Sequence, residues 1–298
     1  MTHAPENHRA DVPDRAGSAA ERDALLHAVH EAATQVRHRA PLVQCLTNEV
    51  TVNLVANVLL AAGASPAMVA TPGEAEELAH VADAVLVNLG TMGADHRVSI
   101  RSTVAAAQGA RTPWVLDPVA VGVLSLRTRL AAEVLVHGPA VVRGNASEIR
   151  ALAGLSSAGR GVDARDDVDD ALTAAVAVAG RTGAVVAVSG ATDLVTDGVT
   201  VVRLTGGDPL LTLMTGGGCA LGGLVAATSA VASPLVAAVT ASAWFNEAAT
   251  DAALVARGPG SFAAAFVDAV HALSADALVA RAAAGLQVAA LASAGTPA

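Results

Sequence analysis

Residues 84–118 read AVLVNLGTMGADHRVSIRSTVAAAQGARTPWVLDP. Ala84 to Asn88 is a short, fully apolar run ending on an amide, the pattern of a strand buried on both faces. Asp95 to Gln108 is long enough and suitably spaced for a helix, and Pro113 to Leu116 is a second buried strand that runs into Asp117-Pro118. Strand, helix and strand in that order make a parallel crossover unit. The same alternation extends in both directions. Upstream lie an amphipathic helix over Ala19 to Arg37, a strand over Leu42 to Leu46 and a helix over Thr51 to Ala62 stopped by Gly63. Downstream come a helix near Arg127 to Val136, a strand over Ala140 to Val142 leading into a helix at Ala146, a helix over Asp166 to Arg181 and a strand over Ala184 to Val188. Asp193 to Thr196 and Thr200 to Leu204 pair as a hairpin around Asp197-Gly198, a favoured turn dipeptide. From Gly216 onward the chain reads helical, with breaks at Pro234 and at Gly258-Pro259-Gly260. The fold class is therefore α/β: a mostly parallel, doubly wound sheet flanked by helices, with the hairpin as an antiparallel edge. In such sheets ligands sit beyond the carboxyl ends of the strands.

Composition narrows the rest. The chain has 298 residues, 53% hydrophobic and only 2% aromatic, so its core is packed by Ala, Val and Leu. Residues 1–20 are polar and Pro-containing, read as a loose tail without the apolar core of a signal peptide, and 21–298 are read as a single domain. Eighteen Lys and Arg against 27 Asp and Glu, with no basic run, argue against a nucleic-acid partner. The uncharged stretch from Pro209 to Asn246 is broken by glycines and Pro234, which favours two buried helices over a membrane span. Two distant cysteines, Cys45 and Cys219, fit a reducing cytoplasm.

Polar residues at strand ends carry the candidate chemistry. Thr215-Gly216-Gly217-Gly218-Cys219 opens a helix. Its glycines and the helix start can form an anion hole that favours a thiolate at Cys219. The other reading is a turn needed for close packing, with Cys219 a small core residue. Asp117 and Glu148 suit a metal–phosphate site, although Asn145 and Glu148 also score as a capping box. Arg143 can grip phosphate oxygens or pair with a carboxylate. Asn48 either caps the following helix or faces a ligand, while Asn53 and Asn57 share a helical face and suit structural roles. Met68 is core filler or a pocket wall.

Nine segments in register resemble the hydroxyethylthiazole kinase family of the ribokinase-like superfamily. They are Pro41 to Val43 through Thr47-Asn48, Asn57 to Ala70, Ala75 to Glu77, Val87 to Thr91 and Asp117 to Val119, then RGNASEI at 143–149, Ser189-Gly190 with Thr196 to Gly198, PLLTLMTGGGC at 209–219 and GPGSF at 258–262. The resemblance implies transfer of phosphate from ATP, with Mg²⁺, to the hydroxyl of 4-methyl-5-(2-hydroxyethyl)thiazole in thiamine biosynthesis. It implies Cys219 as the base, and Met68, Asn48 and Gly216 beside the thiazole. It further implies Gly216, Gly217 and Gly218 as the anion hole, Arg143 and Ser189 at ATP, and Asp117 and Glu148 organising the metal, in part through water. A homotrimer with active sites between subunits is also implied. Three positions depart from the family pattern: Gln44 for His, Ala120-Val121 for Gly-Ala, and Leu213 for Lys. A sensor without catalysis and a kinase of another small alcohol are the rival readings.

Overall fold

The computed structural model describes residues 14–155 and 168–291. Ten strands form a single sheet: β1 Asp14–Ala16, β2 Leu42–Leu46, β3 Ser65–Ala67, β4 Ala84–Asn88, β5 Trp114–Asp117, β6 Val141–Asn145, β7 Val185–Ser189, β8 Thr192–Thr196, β9 Thr200–Thr205 and β10 Leu286–Leu291. Their order is β1-β10-β9-β8-β7-β6-β5-β4-β2-β3. The strands from β2 to β7 pair in parallel, and those from β7 out to β1 pair antiparallel. The chain leaves β2 for β3 at one rim and then returns across β2 to β4. The crevice between β2 and β4 is thus a topological switch point, where open α/β sheets bind ligands.

The helices are α1 Ala19–Arg39, α2 Val52–Ala62, α3 Glu74–Ala79, α4 Ala94–Ala110, α5 Ser125–Leu135, α6 Ala146–Leu152, α7 Val168–Thr182, α8 Gly217–Ser229, α9 Pro234–Val255, α10 Pro259–Ala272 and α11 Ala275–Gly285. The sheet separates two cores. One holds Val43, Leu86, Val115, Val141 and Val195 with α1, α2 and α8 to α11, and the other holds Val85, Leu116, Val142, Val186 and Leu194 with α3 to α7. Helix α8 is buried along almost its whole length between the sheet and α2 and α9. The Pro209–Asn246 stretch thus contains a short 3-10 turn over Pro209–Leu213 and two buried helices. No single described helix is long and apolar enough to cross a membrane.

Three sequence expectations change. Leu286–Leu291 is a strand, although its Ala-rich run reads as helix, because it meets the free edge of β9. The β8–β9 hairpin is consequently not the sheet edge, since β10 and β1 lie beyond it. Residues 14–16, read as tail, pair with β10, with Ala16 opposite Ala289. Residues 1–13 of that tail, and the first two residues of the expected 166–181 helix, lie outside the described residues.

Candidate active site

Side chains alternate faces along a strand, and this alternation builds the site. Asn88, Asp117, Arg143 and Ser189 share the parity of Leu86, Val115, Val141 and Ala187, the residues facing the core under α8. All four therefore project, at neighbouring strand ends, toward the start of α8.

Asp117 is fully buried. Asn88 Nδ2 donates to its Oδ2 at 2.6 Å, and Arg143 Nη1 lies 3.6 Å from the same oxygen. Its Oδ1 is buried with no hydrogen-bond partner, as is Arg143 Nε. Burial is the largest influence on the carboxyl and lifts it to about 7, against the pull of Arg143 and the Asn88 hydrogen bond and with the push of Glu148. Arg143 Nη2 donates to Ser189 Oγ at 2.9 Å. One guanidinium thus spans β5, β6 and β7.

The glycines let α8 approach this cluster. Gly216 has φ of 93°, in the left-handed region, and a Cβ there would lie 2.8 Å from Thr51. Gly218 is exposed, and a Cβ on it would stand 2.8 Å from Arg143 Nη1. Ala220 N is the first in α8 to find an intrahelical carbonyl, that of Gly216 at 2.8 Å. Gly217 N–H is taken by the Met214 carbonyl at 3.4 Å, so the Gly218 and Cys219 N–H groups form the helix's open, partially positive end. Cys219 is buried beneath them. Burial first, and the Asp117 charge second, push its thiol up, while the Thr51 and Asn88 side chains and Arg143 pull the other way. The thiolate expected from the helix start is thus opposed by burial, which pushes the group toward its protonated form. Cys45 lies deep in the core, pushed to about 12 by burial.

Glu148 takes the capping-box reading of its segment and adds a contact to the neighbouring loop. It closes the capping box with Asn145, accepting Asn145 N–H at Oε2, and its Oε1 accepts the Ala120 N–H, each at 2.9 Å. Ala120 has φ of 61°, a left-handed conformation that suits glycine better than alanine.

Asn48 does not cap α2, whose N-cap is Thr51. It forms a turn instead, its Oδ1 accepting Val50 N–H at 3.0 Å and its carbonyl accepting the Thr51 hydroxyl at 3.2 Å. Asn48 and Gly216 are thereby joined through Thr51. Met68 is half-buried just past β3, one strand outward from Asn48, and packs against the core under α2. Gln44 faces the opposite core, donating to the carbonyls of Val69 at 3.1 Å and Ala75 at 2.8 Å. It therefore holds the Met68 segment from beneath and has no line to the strand-end cluster. Asn57 donates to Asn53 on the exposed face of α2. Leu213 is 63% exposed at the end of the 3-10 turn.

Asn88 was missed as a site residue in the sequence. It ends a strand as Asp117 does and has the same parity toward α8, which is the signal that points to it.

The model of the hydroxyethylthiazole kinase family matches residues 33–276. The chain belongs to that family. The hydroxyethylthiazole kinase of Clavibacter sepedonicus is 54% identical over 241 residues, covering 80% of this chain and 88% of the relative. That of Corynebacterium glutamicum (strain R) is 51% identical over 250 residues, covering 82% and 93%. Among solved structures, the hydroxyethylthiazole kinase protein from Pyrococcus horikoshii OT3 superposes with a TM-score of 0.79 at 36% identity, covering 89% of this chain and 99% of that one. The pyridoxal kinase of Staphylococcus aureus, in complex with AMP-PCP, superposes with a TM-score of 0.54 at 18% identity over 70% and 88% of the chains, a likeness of fold only. The ribokinase-like architecture follows from both superpositions. Family membership makes the protein a phosphotransferase with ATP as co-substrate.

Proposed function

We propose that this kinase phosphorylates the hydroxyl of 4-methyl-5-(2-hydroxyethyl)thiazole in thiamine biosynthesis and salvage. The carrying observation is the buried Asp117–Arg143 pair, with one orphaned atom on each partner, placed under the open end of α8. Buried polar atoms in proteins nearly always have partners, so these two are arranged for a ligand that carries both anionic oxygens and a cation. A nucleotide phosphate with its metal has that character.

Arg143 and Ser189 would hold the phosphates of ATP, helped by the N–H groups of Gly218 and Cys219. Asp117 Oδ1 is a hard oxygen free for Mg²⁺. Both Glu148 oxygens already accept backbone N–H groups, so Glu148 would reach the ion through water. When bound, Mg²⁺ supplies charge neutralisation at the transferring phosphoryl group. The thiazole would lie among Asn48, Met68 and Gly216, its hydroxyl toward Cys219. The substrate oxygen forms the new P–O bond while the bond to the ADP oxygen breaks, and the hydroxyl proton passes to Cys219 as the attacking oxygen turns acidic. A thiolate raised in pKa is the stronger base but is scarce at neutral pH, so turnover should climb as pH rises above neutrality.

The exposed Val50 and Leu213 flank the Asn48 turn and the anion-hole segment. Apolar side chains at that rim support a homotrimer whose subunits meet over the site. Free thiols at Cys45 and Cys219 support a cytoplasmic location.

The test is ATP consumption by the purified protein with Mg²⁺ and, in parallel, hydroxyethylthiazole, hydroxymethylpyrimidine and ribose. Turnover confined to the thiazole is expected. Turnover with another alcohol would move the substrate assignment, and thiazole binding without turnover would favour the sensor.

A further inference from the structure

Asp193 is the second buried carboxylate at this end of the sheet, 6% exposed, and no part of the chemistry above uses it. Burying an ionised carboxylate is costly unless it is fully partnered, so its partners indicate what it does. Asp193 Oδ1 accepts the Gly190 N–H at 3.0 Å, and its Oδ2 accepts Asn246 Nδ2 of α9 at 3.0 Å. Gly190 directly follows Ser189, whose Oγ receives Arg143 Nη2. Asp193 also has the strand parity of Val195, toward the α8 and α9 core. Burial is the main influence on its carboxyl and raises it, while the Gly190 and Asn246 hydrogen bonds and the Arg143 charge draw it down. The guanidinium thus feels two buried carboxylates, Asp117 and Asp193. On the far side of the contact, Asn246 lies against Gly206 and Gly207, in the segment that leads through the 3-10 turn to the anion hole.

We propose that Asp193 is a positioning residue for the nucleotide: it pins the Ser189–Gly190 turn to α9 and fixes the Arg143 guanidinium that Ser189 receives. The inference rests on the reading of Arg143 and Ser189 as nucleotide contacts. It adds a chain of contacts from Asn246 through Asp193, Gly190 and Ser189 to Arg143. Through that chain the helix on one side of the site sets the geometry of the phosphate grip on the other.

Asp193→Asn tests it. An asparagine keeps the size of the side chain but turns the charge-assisted bonds from Gly190 and Asn246 into neutral ones, the second only once the Asn246 amide turns over, so the pin is loosened while packing is kept. The full-length variant is compared with wild type by calorimetric ADP binding, by the KM for ATP and for hydroxyethylthiazole, and by Tm. The expected result is about a tenfold weakening of ADP binding and a matching rise in the KM for ATP, the size of one charge-assisted contact, with the thiazole KM within about twofold. Unchanged ADP affinity, or an equal rise in both KM values, overturns the proposal. If Asp193→Asn does not fold, Asn246→Ala decides, since it loosens Asp193 and leaves the charge. A weakened ADP affinity then supports the proposal, and a lowered Tm with unchanged affinity overturns it. Arg143→Ala and Ser189→Ala separate the two levels. If they leave ADP affinity intact, the nucleotide reading itself falls and this inference falls with it. If they weaken it while Asp193→Asn does not, only the positioning role is lost.

Discussion

Cys219 is held between opposing influences, and under the proposed mechanism its protonation state sets the rate. Burial and the nearby Asp117 charge keep the thiol protonated at neutral pH. Cys219→Ala should therefore lower kcat by about 10²-fold, at the lower end of general-base effects, and flatten the rise of kcat above pH 7. Turnover close to wild type, with an unchanged pH profile, would remove the base assignment and leave the anion hole in place. Gly218 offers a separate test. A Cβ at this position would meet only the tip of the Arg143 side chain, 2.8 Å away, so the fold can yield there. Gly218→Ala should raise the KM for ATP several-fold, about 1 kcal/mol of lost grip, with Tm unchanged. A drop in Tm with no change in KM would show that the glycine serves packing alone.

At the scale of elements, the 117–122 loop combines a contact to Glu148 with local strain. Ala120 gives its N–H to Glu148 while adopting φ of 61°. Left-handed backbone costs an alanine about 1–2 kcal/mol, whereas glycine adds unfolded-state entropy worth about 0.4–1 kcal/mol. Ala120→Gly should therefore stabilise the protein by up to about 1.6 kcal/mol, read as a higher midpoint in urea with the same slope. A destabilised variant would mean that the alanine methyl packs usefully. Elements also show how far the sequence could be read. The strands Leu42–Leu46 and Ala84–Asn88 were legible to the residue because each is a buried apolar run closed by polar or turn residues. The strand Ser65–Ala67 is three residues long and contains Pro66, too short for any period. Leu286–Leu291 carries no strand signal of its own, since its state is set by a neighbour more than 80 residues earlier in the chain. In the candidate site, Asp117, Arg143 and Glu148 were legible from their places after apolar strands, and Ser189 only from the family resemblance. Asn88 was missed although its strand-end parity pointed to it, and Asp193 was not legible because its role follows from partners on other elements. The protonated thiol was hidden for a related reason: depth of burial is a property of the assembled fold.

For the whole molecule, placing Asp117 at the centre of the sheet links stability to pH. Its folded value near 7 lies above the ordinary carboxylate value of about 3.9. Between those values the native state holds a proton that the unfolded chain has released, so unfolding releases it and rising pH favours unfolding. In the absence of nucleotide and metal, stability should fall from about pH 4 to pH 7, with Asp117 contributing at most about 1.4 kcal/mol per pH unit, and level off above. Asp117→Asn, which still accepts from Asn88, should flatten that slope and be the more stable protein at pH 8, as measured by denaturant titration. Equal slopes for both proteins would mean that Asp117 is ionised in the fold. Fusing the site's polar groups into the sheet in this way trades stability for function, a common feature of active sites.

The two rims of the sheet, β1 and β3, are each three residues long, and β3 carries Pro66, which has no N–H to offer. A flanking strand needs several residues of open backbone to lock its register, and these rims provide almost none. Copies of this molecule are thereby discouraged from joining by continuing one another's sheets. Among the described residues, association is left to the helical faces and to the loops at the strand ends. On the proposed reading those loops carry the chemistry, so the architecture that closes off fibre-like growth leaves the mouth of the site among the surfaces open to assembly.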